Sequence, residues 1–176
     1  QLAAGNLNIT ASVNGAKTAA HVNGKLDYAN LKGLELINKP YLLSTEANIA
    51  FHSERPKHYT VEGYLGNLKI DEHREGNTVS LFNGDLNIHT TMAGNLVNGG
   101  ANGVIRHADL YQMGFVDKPF VSNCALNIDF STDMAAKLMV KGMLGNLKVQ
   151  ADHKQFVPGD VTIDVLSRAD TTHAVI

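Results

Sequence analysis

A five-residue phrase recurs along this chain: GNLKI at Gly66–Ile70, GNLKV at Gly145–Val149, and the weaker echoes GNLNI at Gly5 and GDLNI at Gly84. Three subtractions give one period, because 145 − 66, 84 − 5 and 119 − 40 (the two Lys-Pro pairs) all equal 79. The phrase belongs to a longer unit. GNLNITASVNG from Gly5 matches GDLNIHTTMAG from Gly84, Gly24–Phe51 matches Gly103–Phe130, and VEGYLGNLKI from Val61 meets VKGMLGNLKV from Val140. GDVTIDV at Gly159 resembles GDLNIHT at an offset of 75, which starts a third, partial copy. The units are therefore 1–79, 80–158 and a partial third over 159–176, within a single β-repeat segment covering 1–176. Tandem copies of this kind suggest an array in which copy stacks on copy.

Inside the copies the apolar residues alternate with polar ones. Leu7, Ile9, Ala11 and Val13 point one way and Asn6, Asn8, Thr10 and Ser12 the other, and the same alternation runs through Leu126/Ile128/Phe130 and Val161/Ile163/Val165. A period of two means strands with one wet face. The Asn-Gly pairs at Asn14, Asn23, Asn83, Asn98 and Asn102 read as hairpin turns, since both residues tolerate positive φ. The segment from Asp133, DMAAKLMV, has helical spacing, yet its partner in the first copy contains Pro56, so a strand or irregular connection is expected at both places.

Roughly 10 to 12 one-faced strands with no amphipathic helix must cover one another or leave a groove. The expected fold class is all-β. A two-sheet β-sandwich, a closed barrel and a strongly curved antiparallel or mixed sheet, folded as an open taco-like groove with an apolar interior, satisfy the pattern. Tandem copies favour the third, which need not close at either end.

With 15 Lys plus Arg against 17 Asp plus Glu, the net charge of −2 gives no reason to expect a nucleic-acid partner. No apolar run approaches the ~20 residues of a transmembrane helix. The opening QLAAGNLNIT and the closing THAVI read as the ends of a piece of a longer protein, and the single Cys124 has no second thiol to pair with.

Reactive constellations are weak. Neither the eight histidines nor Cys124 has zinc-ligand spacing, so no metal and no cofactor is expected. The sequence NGAKT at Asn14 lacks the spacing of a phosphate loop and reads as a turn; His58 and His73 read as solvated loop residues. Asp71 and Glu72 read as a solvated turn rather than an acid/base pair, because neighbours in a strand point to opposite faces. The sequon at Asn8 and the DTTH run from Asp170 suggest no mechanism, and the chain is expected not to be an enzyme. The stronger candidate is an apolar lining made of Leu7, Ile9, Leu68, Ile70, Leu86, Ile88, Leu126, Ile128, Phe130, Leu147, Val149 and Ile163. With no Trp and six Phe, little aromatic bulk is at hand to plug such a trough.

The glycine-punctuated, Asn-rich texture of GNLNI…NGKLDYANLKGLEL…KPY…ANIAF…VEGYLGNLKI, running into GDVTIDVLSRADTTHAVI, resembles the periplasmic β-repeat region of TamB and AsmA-like envelope proteins over essentially the whole chain. The resemblance implies a long protein anchored in the inner membrane of a Gram-negative cell, whose curved sheet spans the periplasm. It further implies phospholipid, or another acyl-chain ligand, carried along the groove, or assembly of outer-membrane proteins with a barrel partner of the Omp85 type. No catalytic residues come with it. The competing expectation is a secreted or surface-exposed β-sandwich used for binding or adhesion.

Overall fold

The computed structural model describes residues 2–74, 76–134, 137–151, 154–168 and 171–175. Ten strands follow one another as a meander: β1 (Ala3–Asn14), β2 (Lys17–Asn30), β3 (Tyr41–Arg55), β4 (His58–Arg74), β5 (Asn77–Ala93), β6 (Leu96–Asp109), β7 (Phe120–Thr132), β8 (Lys137–Ala151), β9 (Lys154–Arg168) and β10 (Thr171–Val175). All neighbours are antiparallel, and the spatial order is the chain order from β1 to β10 in one sheet. The two edges do not pair, so the sheet is not a closed barrel. Among the described residues no strand leaves it to build a second layer, and the sandwich is not formed either.

Every described strand but β10 is 12 to 17 residues long, well above the usual 5 or 6. Such lengths overturn most of the expected turns. Only Asn14–Gly15 joins two strands, whereas Asn23, Asn83, Asn98 and Asn102 lie inside β2, β5 and β6. At Gly24 the reason is steric: φ is 142° and a Cβ would collide with the backbone carbonyl of Asn6 on β1. Gly103 meets Asp85 on β5 in the same way, so these glycines allow two backbones to approach closely.

In β4 and β8 the recurrent phrase is mid-strand. Gly66–Asn67 and Gly145–Asn146 are β-bulges in β4 and β8, with Asn67 (φ 48°) and Asn146 (φ 51°) in the left-handed region that asparagine tolerates. The Asn67 N–H donates to Asp85 Oδ1 at 2.7 Å, and the Asn146 N–H to Asp160 Oδ1 at 2.9 Å. Thus GN on one strand meets GD on the next. The inserted residue keeps Leu68 and Ile70 on the same face as Leu65, which a straight strand would not do.

One short helix, α1 (Leu110–Met113), packs against β5 and β7. Asp109 caps it by accepting from the Gln112 N–H at 2.9 Å, and left-handed Gly114 ends it. Asn30, 79 positions earlier, accepts from the Gly33 N–H at 2.9 Å in a turn of the same design. The segment from Asp133 enters β8 at Lys137 as the strand reading expected; residues 135 and 136 lie outside the described set. No helix among the described residues is long and apolar enough to cross a membrane.

Burial is concentrated at the end of the sheet that carries the bulges and the 31–40 and 110–119 connections. Leu81 is fully enclosed, and Ala29, Leu68, Ala108, Cys124 and Val149 are buried there with Thr45, whose hydroxyl donates to Gly66 O at 3.1 Å. The total accessible surface is 11215 Å². A compact monomer of 19.0 kDa would expose about 8,400 Å². The excess belongs to a sheet with two accessible faces.

Candidate apolar face

Directly paired residues of antiparallel strands share a face, so the register sorts every side chain. One row across the sheet from β1 to β9 reads Leu7, Gly24, Ala47, Leu65, Leu86, Gly103, Leu126, Leu144 and Val161. The next reads Ile9, Val22, Ile49, Gly63, Ile88, Ala101, Ile128, Gly142 and Ile163. A third contains Phe51, Val61, Phe130, Val140 and Val165.

All twelve nominated residues therefore point to one side. They do not share one environment. Leu7 and Ile9, on the outermost strand, are exposed, whereas Leu86, Ile88, Leu126, Ile128, Phe130, Leu147, Ile163 and Ile70 are half-buried. Leu68 and Val149 are each 8% exposed and belong to the small core. Leu65, Leu144, Val161, Ile49, Val22, Val140 and Val165, which the list omitted, lie in the same rows; the 79-residue period and strict alternation were the signals that would have found them. Along β6 the face is cut down to Gly99, Ala101 and Gly103, flanked by Leu86 and Ile88 on β5 and Leu126 and Ile128 on β7. The ring of Phe130 lies over Gly99.

The opposite face is polar. Its central row is Asn8, Asn23, Asn48, Tyr64, Asn87, Asn102, Asn127, Met143 and Thr162. Asn87 Nδ2 donates to Asn102 Oδ1 at 3.2 Å, and His21 Nε2 meets Asn48 Oδ1 at 2.7 Å. The adjacent row carries charge: Lys141 pairs with Asp164 at 2.9 Å, and His89 lies 3.7 Å from Asp129 across the bare Gly100. Arg106 pairs with Asp85, and this guanidinium, together with the Asn67 N–H, holds the Asp85 carboxyl below the ordinary carboxylate range.

Two further readings need correction. Glu72 is in β4, 7% exposed and paired with Arg74 at 2.5 Å, so Asp71–Glu72 is no solvated turn; the strand runs on seven residues past the Gly66–Asn67 bulge, and the His73 N–H donates to Pro40 O at 3.4 Å. His73 and His58 are also strand residues of β4, and His58 is half-buried near Pro56 O at 3.2 Å. Desolvation raises the pKa of the buried Cys124 thiol. Asp170 of the DTTH run lies outside the described residues. Among the described residues, no group of three or more His, Cys, Asp or Glu side chains is arranged to hold a metal ion.

Comparison of the chain with protein-family models, with characterised proteins and with solved structures gives no match.

Proposed function

We propose that this chain is a non-catalytic segment of an envelope-spanning protein of the TamB and AsmA-like kind. Its apolar face lines a trough that binds phospholipid acyl chains and lets them pass between the inner and outer membranes. The observation that carries this reading is the apolar face itself: rows of Leu, Ile, Val and Phe cross nine strands, and among the described residues no second layer packs on them.

An acyl chain gains about 0.8 kcal/mol per buried methylene from any dry lining, so holding it requires no specific polar group. The rows run across the strands, and a four-strand unit advances the sheet by roughly 19 Å at ~4.8 Å per strand. Tandem units would then present near-equivalent sites in series, between which a chain can slide without falling into a deep trap. Curvature of the sheet towards its apolar side would turn the face into a taco-like groove. The parent protein would be anchored in the inner membrane of a Gram-negative cell and reach through the periplasm, with an Omp85-type barrel as an outer-membrane partner.

Mass spectrometry of an organic extract of the purified protein tests the binding half of the proposal. Co-purifying phospholipid or fatty acid in near-stoichiometric amount is expected. A lipid-free preparation that also fails to take up added fatty acid would remove the basis for the reading.

A further inference from the structure

In the central row of the polar face Tyr64 is the one aromatic side chain, set between Asn48 on β3 and Asn87 on β5. Its ring lies over Gly66, where a Cβ would come within 2.7 Å of Tyr64 Cε1, and the residue is 43% exposed. Beside it opens a hollow of about 510 Å³ lined by Asn23, Lys25, Glu46 and Asn48, in the size range of small-molecule sites. Asn48 Oδ1 is taken by His21 at 2.7 Å, which leaves the Nδ2 hydrogens for a ligand. Glu46 Oε1 accepts from Asn67 Nδ2 at 3.3 Å. Shifting by 79 keeps the amides, as Asn102 and Asn127, but turns Tyr64, Lys25 and Glu46 into Met143, Val104 and Ala125. The nearest atoms to the vacant side-chain position of Gly145 belong to Ala125 and Asp160, so Met143 does not lie over its glycine as Tyr64 does.

We propose that this hollow binds a neutral oligosaccharide, with one pyranose ring stacked on Tyr64. An aromatic ring has a negative face that attracts C–H groups, and a pyranose has a face of C–H bonds edged by hydroxyls. Each hydroxyl both donates and accepts, which matches a lining of amide donors with amide and carboxylate acceptors. Charge argues against an ionic ligand: Lys25 and Glu46 are directly opposed across β2 and β3, and Lys25 is already paired with Asp27 at 3.0 Å. Asn87 and Asn102 continue the amide row on the far side of Tyr64, at ~4.8 Å per strand, which extends the contact past one sugar ring. The hollow is on the face opposite the Leu and Ile rows, so the assignment stands apart from any lipid held there.

The test titrates maltotetraose, cellotetraose and chitotetraose separately into the whole 176-residue protein, followed by NMR. At least one is expected to bind saturably, with a Kd of about 1 mM or lower. Tyr64→Ala should weaken that binding about tenfold, whereas Tyr64→Phe, which keeps the ring, should stay within about twofold. Met143→Ala, at the matching place 79 residues on, should change nothing, with far-UV CD retained in all three variants. In the wild type, the ring protons of Tyr64 should shift on titration while those of Tyr111 do not, a readout that needs no variant to fold. Saturable binding of none of the three sugars overturns the proposal. So does binding that is equally strong in Tyr64→Ala, or that leaves the Tyr64 ring protons unmoved.

Discussion

Val149 and Ile128 point to the same side of neighbouring strands, yet Val149 is 8% exposed and Ile128 is half-buried. The difference divides the apolar face into two regions. At the end with the bulges, α1 and the long connections, apolar side chains are enclosed and form the molecule's small core around Leu81. Across the other half, the Leu and Ile rows have the same chemistry and no lid. A core and an open apolar face can therefore be written in one alphabet of Leu, Ile and Val. What separates them is the cover, and the cover is supplied by irregular segments rather than by the strands.

Substitutions that put charge into each half provide the sharpest contrast. Val149→Asp leaves an unpaired charge in the enclosed end and should cost several kcal/mol, with loss of the cooperative unfolding transition in thermal melts. Leu81→Ala should follow at about 2 to 5 kcal/mol, read as a lower urea midpoint at unchanged slope, because the enclosed site cannot collapse around the missing atoms. Ile88→Asp in the open half keeps its carboxylate near water and should cost about 1 to 2 kcal/mol, leaving a folded protein by CD. Equal losses for Val149→Asp and Ile88→Asp would erase the distinction between the regions.

Smaller effects probe the bulge. Arg106 and the Asn67 N–H hold the Asp85 pKa below its ordinary value. The stabilisation is therefore present above the ordinary carboxylate pKa, about 3.9, and is lost as pH falls through the depressed folded value. Urea midpoints measured from pH 7 to pH 3 should fall at the acid end, and Asp85→Asn should flatten that fall. Smallest in energy is the prediction for Cys124: with its pKa raised by burial, the thiol should react at least about tenfold more slowly with a disulfide reagent in the native state than in urea.

The all-β class and the sidedness of the strands were legible because alternation records burial directly: all twelve nominated residues lie on one face. The positions of the turns were not. Asn-Gly is equally suited to a hairpin and to a strand interior where backbones crowd, and only the partner strand decides, as Asn6 does for Gly24. The bulge in GNLKI was illegible for a related reason, since its glycine and asparagine meet a partner, Asp85, that is 18 residues away from Asn67. The one-turn helix after Asp109 was also missed, although an acidic cap, an amide three residues on and a following glycine were present in the sequence. Glu72 shows the limit of reading neighbours alone, because it is 7% exposed between a half-buried Asp71 and an exposed His73.

The central claim is that the open half of the apolar face holds acyl chains, and titration of a fluorescent fatty acid into the wild-type protein and the Ile88→Asp/Ile128→Asp double variant tests it most directly. Saturable binding to the wild type is expected, with its loss in a double variant whose CD spectrum is unchanged. Absence of binding to the wild type, or equal binding to both proteins, would contradict it.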